Sequence, residues 1–106
     1  MKLRNDIYLK LRNHEKKTRR NLPFLIVDDE KNRTELIAEL LAVLDTDPRS
    51  AAHLLLEQMV MMHRIADRIY IGSSEFDVDN VDTLVDNMSS LADDYMFAAG
   101  YLLDIA

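Results

Sequence analysis

There is no cysteine in this sequence. That excludes a disulfide framework, cysteine-ligated zinc, iron–sulfur clusters and a thiol nucleophile, and it favours an intracellular setting. Glycine and proline occur only 2 times each. Sandwiches and barrels turn the chain often and draw on both residues, so their scarcity points to helices with few connections. A phosphate cradle of backbone amides is hard to build from so little glycine, and neither Gly-x-Ser-x-Gly nor a glycine-rich phosphate loop occurs. Catalysis is not expected, and no cofactor is. No apolar run approaches the length of a membrane span. The opening "MKLRNDIYLKLRNHEKK" places charges inside every short apolar stretch, unlike a secretory signal, so the expected address is the cytoplasm. One further absence is local: after Arg68 there are eight acidic residues and no lysine or arginine.

What is present fits one domain over residues 1–106, with 48% hydrophobic and 30% charged residues and a single modest core. The net charge of -6 conceals a division. Residues 1–20 hold eight basic side chains against Asp6 and Glu15, so the chain has a basic head and an acidic tail.

Apolar spacing marks the helices. Over 80–105, Val81, Leu84, Val85, Met88, Leu91, Ala92, Tyr95, Met96, Ala99, Leu102 and Leu103 fall in one arc at 100° per residue, with Asp79 or Asn80 as N-cap. Over 48–71, Pro48 suits a first helical position, and a wide arc runs through Ala51, Leu54, Leu55, Met59, Met61, Met62, Ile65, Ala66, Ile69 and Tyr70 to Gly72. The width makes this the central helix. A third helix spans 29–45, its start favoured by the carboxylates of "DDE" at 28–30. Only Thr46 and Asp47 follow it, so it should pack antiparallel on the central helix. Residues 1–27 read as a basic helix followed by an extended segment at "LPFLIV"; a β-hairpin of 6–12 with 22–27 is the alternative. The expected fold is all-α, a three- or four-helix bundle built on long antiparallel helices 48–71 and 80–105.

Several residue groups bear on chemistry. "DVDNVD" offers Asp77, Asp79 and Asp82, but an EF-hand loop counted from Asp77 would place Val81, Asp82 and Met88 where an oxygen ligand, a glycine and a glutamate are required. These carboxylates fit the start of a helix better. His53 pairs with Glu57 and His63 with Asp67 at i,i+4, yet ten residues separate the two histidines, about 15 Å of helix, and no His-Glu-x-x-His occurs. No metal is expected. "MVMMH" at 59–63 is read as core filling.

The acidic tail carries the more pointed signal. Asp82, Asp86, Asp93 and Asp104 form a stripe opposite the apolar arc, with Asp94 beside it and Phe97 and Tyr101 near the same side. Most solvated helix faces mix charge signs, and this one does not. Spaced carboxylates on a rigid helix can engage a basic surface. The basic head offers Lys10, Arg12, Lys16, Lys17, Arg19 and Arg20, whose charges are spread around the helix axis, and Tyr8 could stack on a base.

A compact, acidic, cysteine-free helical chain without catalytic signals is similar in kind to the small inhibitors and adaptors that phages and mobile elements encode. The expected role is therefore a non-enzymatic protein–protein interaction module acting through its acidic face. The alternative is a nucleic-acid-binding regulator that uses the basic head while a helical body dimerises. The central arc is too broad for one neighbour, so either residues 1–27 fold back over it or a homodimer covers it, the basic head of one chain beside the acidic tail of the other.

Overall fold

The computed structural model describes residues 5–71 and 78–106. Among these the chain forms five helices and no strand: α1 (Asn5–Thr18), α2 (Leu22–Asp28), α3 (Arg33–Leu44), α4 (Pro48–Ile71) and α5 (Val78–Ile105). The expected placements of Leu3, Ile69, Tyr70, Gly72, Asp77 and Val81 lie outside the described residues and side chains.

The breaks between helices have local causes. At the end of α1, Thr18 Oγ1 donates to the His14 carbonyl at 2.7 Å, and Arg19 turns left-handed (φ 59) with its N–H on the Glu15 carbonyl. Residues 22–28 then re-enter a helix, so "LPFLIV" is neither extended nor half of a hairpin. Pro23 lies in the first turn, where its missing N–H has no intrahelical partner to lose, and Leu22, Pro23 and Ile26 turn inward.

The carboxylates at 28–30 do not open α3. Asp29 instead accepts from the Asn32 backbone N–H at 3.2 Å and from Asn32 Nδ2 at 3.1 Å, which closes a turn and delays the helix to Arg33. Those bonds, the side-chain one first, hold the Asp29 carboxyl below the usual range. α3 ends at Asp45, left-handed at φ 54, where the N–H groups of Asp45 and Thr46 both reach the Leu41 carbonyl. α4 begins at once. Asp47 accepts from the Ser50 N–H at 2.9 Å and its hydroxyl at 3.1 Å, a side-chain cap for orphan donors of the first turn.

The antiparallel pairing of α4 with α5 is by far the most extensive contact. Ala51, Ala52, Ala92, Ala98 and Ala99 are all buried in the common core, and side chains this small let the two backbones approach closely. α2 packs on α5 and α3, and α1 on α3 and α4. Residues 5–28 therefore fold back over the α4–α5 pair. α3 touches α4 only slightly, contrary to the antiparallel packing expected from their short joint. Its buried side chains, Leu36, Ile37, Leu40 and Leu44, join the core that α1 and α2 also line.

The apolar arcs are rotated from expectation. Leu55 and Met62 of α4 are buried, but Ile65 is 42% exposed because no described side chain closes over it. On α5 the buried set is Ala92, Tyr95, Ala98, Ala99 and Leu102, while Leu84, Met96 and Leu103 are exposed. The arc turns towards Ala98, because α2 and α4 both press on that side of α5. α5 begins at Val78, so Asp79 and Asn80 fall within its first turn and not before it. Among the described residues no helix is long and apolar enough to cross a membrane.

Candidate interaction surface

The outward face of α5 carries most of the acidic residues singled out above. Asp82, Asp86, Asp93 and Asp104 are all exposed, spaced along one side of a helix of 28 residues. Their neighbours on that side include an apolar group. Phe97 is 52% exposed, Met96 and Leu103 are exposed beside it, and Gly100 sits among them with nothing within 4 Å of where a Cβ would stand. No packing within the chain requires a glycine there, although glycine in a helix interior costs roughly 1 kcal/mol relative to alanine. The result is an apolar spot, indented at its centre, between Asp93 and Asp104.

Tyr101 does not share this face. It is partly buried against the core, and the Arg33 guanidinium lies over its ring at 4.0 Å. The same guanidinium donates from Nε to the Ile26 carbonyl at 3.0 Å and from an Nη to the Val27 carbonyl at 3.4 Å. One side chain at the start of α3 thus satisfies the end of α2 and fastens both to α5. Nothing in the local sequence signals it, since Arg33 and Tyr101 are distant along the chain.

Asp94 also leaves the stripe. It is half-buried and turns towards a cleft of about 630 Å³ between α1, α4 and α5. The cleft walls are Met61, Met62, Ile65, Leu84, Met88 and Leu91, with Tyr8, Arg12 and Gln58 towards one end. The methionines read as core filler are therefore divided: Met62 is buried, and both Met61 and Met62 line the cleft. Burial, together with the neighbouring charge of Asp93, pushes the Asp94 carboxyl above its ordinary range, opposed by the field of Arg12. Arg12 itself is engaged by Glu15 at 2.6 Å and lies 5.5 Å from the Tyr8 ring centroid, so Tyr8 is not a free stacking platform. Tyr95 is fully buried, its hydroxyl near Arg12 without completing a hydrogen bond, and burial drives its phenol up to about 12.

The basic set is likewise split. Lys10, Lys16, Lys17 and Arg19 are exposed, and the three lysines share the outer side of α1 with Leu9 and Asn13; they are not scattered around the axis. Arg12 is paired as described. Arg20 bonds Glu39, which also accepts from His14 Nε2 at 3.1 Å. His53 and His63 are exposed on α4. Among the described residues, no group of three or more His, Asp or Glu side chains is placed to hold a metal ion.

Comparison with known proteins finds no family model that matches the chain and no similar protein among curated sequences or solved structures.

Proposed function

We propose that this protein is a non-enzymatic interaction module that binds a basic surface of another protein through the outward face of α5. The observation that carries this reading is the exposed apolar spot of Met96, Phe97 and Leu103 set inside a row of carboxylates with no cation on the helix. Interfaces draw their energy from a few desolvated aromatic or aliphatic anchors, and surrounding charge governs encounter rate and partner choice. Phe97 supplies the anchor. Asp86, Asp93 and Asp104 supply the field. The role fits a small inhibitor or adaptor, of the type phages and mobile elements encode, that occupies a basic groove on its target.

The test is affinity capture from a host lysate with three baits: the wild type, Phe97→Asp, and Asp86→Lys combined with Asp93→Lys. All substituted side chains are exposed, so the variants should fold. A protein retained by the wild type and lost from both variants supports the reading. Equal capture by all three refutes it.

A second reading rests on Lys10, Lys16 and Lys17, which α1 gathers on one exposed side. It assigns nucleic-acid binding to the head, with a homodimer formed through the helical body. Nucleic-acid affinity would then fall steeply with salt, and a light-scattering mass of twice 12.3 kDa would accompany it. The acidic-face reading requires neither.

A further inference from the structure

The cleft between α1, α4 and α5 raises its own question. Ile65 and Leu84 sit on the apolar arcs of their helices, yet they are 42% and 46% exposed on opposite lips of the same opening. The floor between them is Met61, Met62 and Met88, unbranched side chains that adapt to the shape of whatever lies against them. From Leu84 to Asp94 the cleft follows α5 for ten residues, about 15 Å at the rise of an α-helix. That is close to three turns.

Charge decides what the cleft accepts. Two ionisable side chains of opposite sign line it, Arg12 and Asp94. Arg12 already has its counter-ion in Glu15 at 2.6 Å. Asp94 has no ion pair or hydrogen bond among the described residues, although it is half-buried. Partial burial and the neighbouring Asp93 both disfavour this carboxylate, and Arg12, whose field opposes them, is shared with Glu15, so a further cation would be met favourably. The nearby charges on α5 are Asp86 and Asp93, which add to the same field. An acidic or neutral occupant would leave Asp94 unpaired; a lysine or arginine would not.

We infer that the cleft seats a basic amphipathic helix of the partner protein, its apolar side chains against Met61, Ile65, Leu84 and Met88 and a lysine or arginine on Asp94. This rests on the acidic-face reading and makes it more specific: the partner presents a helix, and the recognition surface extends from the outer face of α5 into the cleft beside it. Apolar positions at i, i+3 or i+4, and i+7 of the incoming helix span the cleft. The exposed lips become the covered part of the interface.

A synthetic 18-residue peptide of leucine and lysine, patterned as an amphipathic helix, is the probe, and its leucine–glutamate counterpart is the control. Binding to the full chain is measured by fluorescence anisotropy, with circular dichroism confirming that each variant folds. The wild type should bind the lysine peptide and not the glutamate peptide. Ile65→Glu and Leu84→Glu should each weaken binding about tenfold or more, as loss of a central apolar contact does. Both substitutions add negative charge, so a purely electrostatic association would tighten. Tightening, or no change, overturns the inference, as does failure of the wild type to bind the lysine peptide. Asp94→Asn should weaken binding more than Asp104→Asn; the reverse order argues against the cleft. The double variant Asp86→Lys, Asp93→Lys separates the two readings. If it loses the peptide while the cleft variants keep it, the acidic face stands and the cleft fails. If the cleft variants lose it and the double variant does not, the cleft stands and the outer-face reading fails.

Discussion

Leu55 and Ile65 lie on the same apolar arc of α4, yet Leu55 is fully buried and Ile65 lines an open cleft. Replacing each with alanine asks whether the burial is real. Leu55→Ala removes three carbon groups from the interior, about 2.4 kcal/mol at ~0.8 kcal/mol per buried methylene. A residual cavity adds to this, because the buried neighbours one turn earlier, Ala51 and Ala52, are too short to fill it, and the sum falls in the range of about 3–4 kcal/mol. Ile65→Ala removes a comparable side chain, but nearly half of it is already wet and no closed cavity remains. Its cost should be about 1.4 kcal/mol, the same transfer scaled to the buried share. Urea melts followed by far-ultraviolet circular dichroism read both values. With an m-value of about 2 kcal/mol/M, Leu55→Ala should lower the midpoint by roughly 1.5–2 M and Ile65→Ala by about 0.7 M. Unchanged slopes would confirm that the two midpoints report stability. Equal losses at the two positions, or a loss under about 1 kcal/mol at Leu55, would refute the assignment of the α4 core face.

Other consequences are open to measurement. Asp94 has a raised carboxyl in the folded chain, so its ionised form works against folding; Asp94→Asn should stabilise the protein at neutral pH, and the gain should vanish as pH falls below the unfolded value of 3.8. Asp47 is the opposite case, lowered first by the Ser50 N–H and then by its hydroxyl: its contribution is fully present above pH 3.8 and is lost as the pH falls through the lowered value, so Asp47→Ala should reduce the melting temperature at pH 7, and the difference from the wild type should shrink as the pH is taken below 3.8. Arg33→Lys should cost about 1–2 kcal/mol in the same urea melts, since an ammonium cannot both reach two carbonyls and cover the Tyr101 ring; a loss below about 0.3 kcal/mol would dissolve that assignment. Tyr95→Phe should lie within about 0.5 kcal/mol of the wild type, because the hydroxyl it deletes has no hydrogen-bond partner to lose.

The helices that could be read from sequence were those whose pattern needs no partner to interpret. Pro48 opens α4 and a regular apolar spacing carries it to Ile71, as expected. α5 differs from its expected start by two residues. α2 was not legible, because a seven-residue apolar stretch has no period long enough to separate helix from strand, and proline suits the first turn of one and the edge of the other. The start of α3 was misplaced for a physical reason: carboxylates favour a helix N-terminus, but Asp29 satisfies the turn that precedes it. The exposed carboxylates of α5 and Phe97 followed from the helical wheel alone. Asp94 and Tyr101 did not, since which side of α5 is wet depends on where α4 and α2 pack on it and on single side chains, such as Arg33 over Tyr101, that reach it from elsewhere. The cleft was invisible for the same reason. Every residue of its floor looks like core until the gap between three helices is known.

The dominance of the α4–α5 pairing bears on the order in which the chain folds. These two helices are consecutive, so their contacts close a short loop and lose little chain entropy in forming. α1 and α2 reach the α4–α5 pair only through contacts distant in sequence, α1 with α4 and α2 with α5. The rate-limiting step should therefore resemble a docked α4–α5 hairpin with the first two helices still loose. Substitutions at Leu55 or Leu102 would then slow refolding, whereas Leu11→Ala and Ile26→Ala would leave refolding nearly unchanged and hasten unfolding. The side of the cleft formed by α1 would be the last wall to arrive and the first to leave, and an incoming helix could meet the Met-lined floor before that wall has closed.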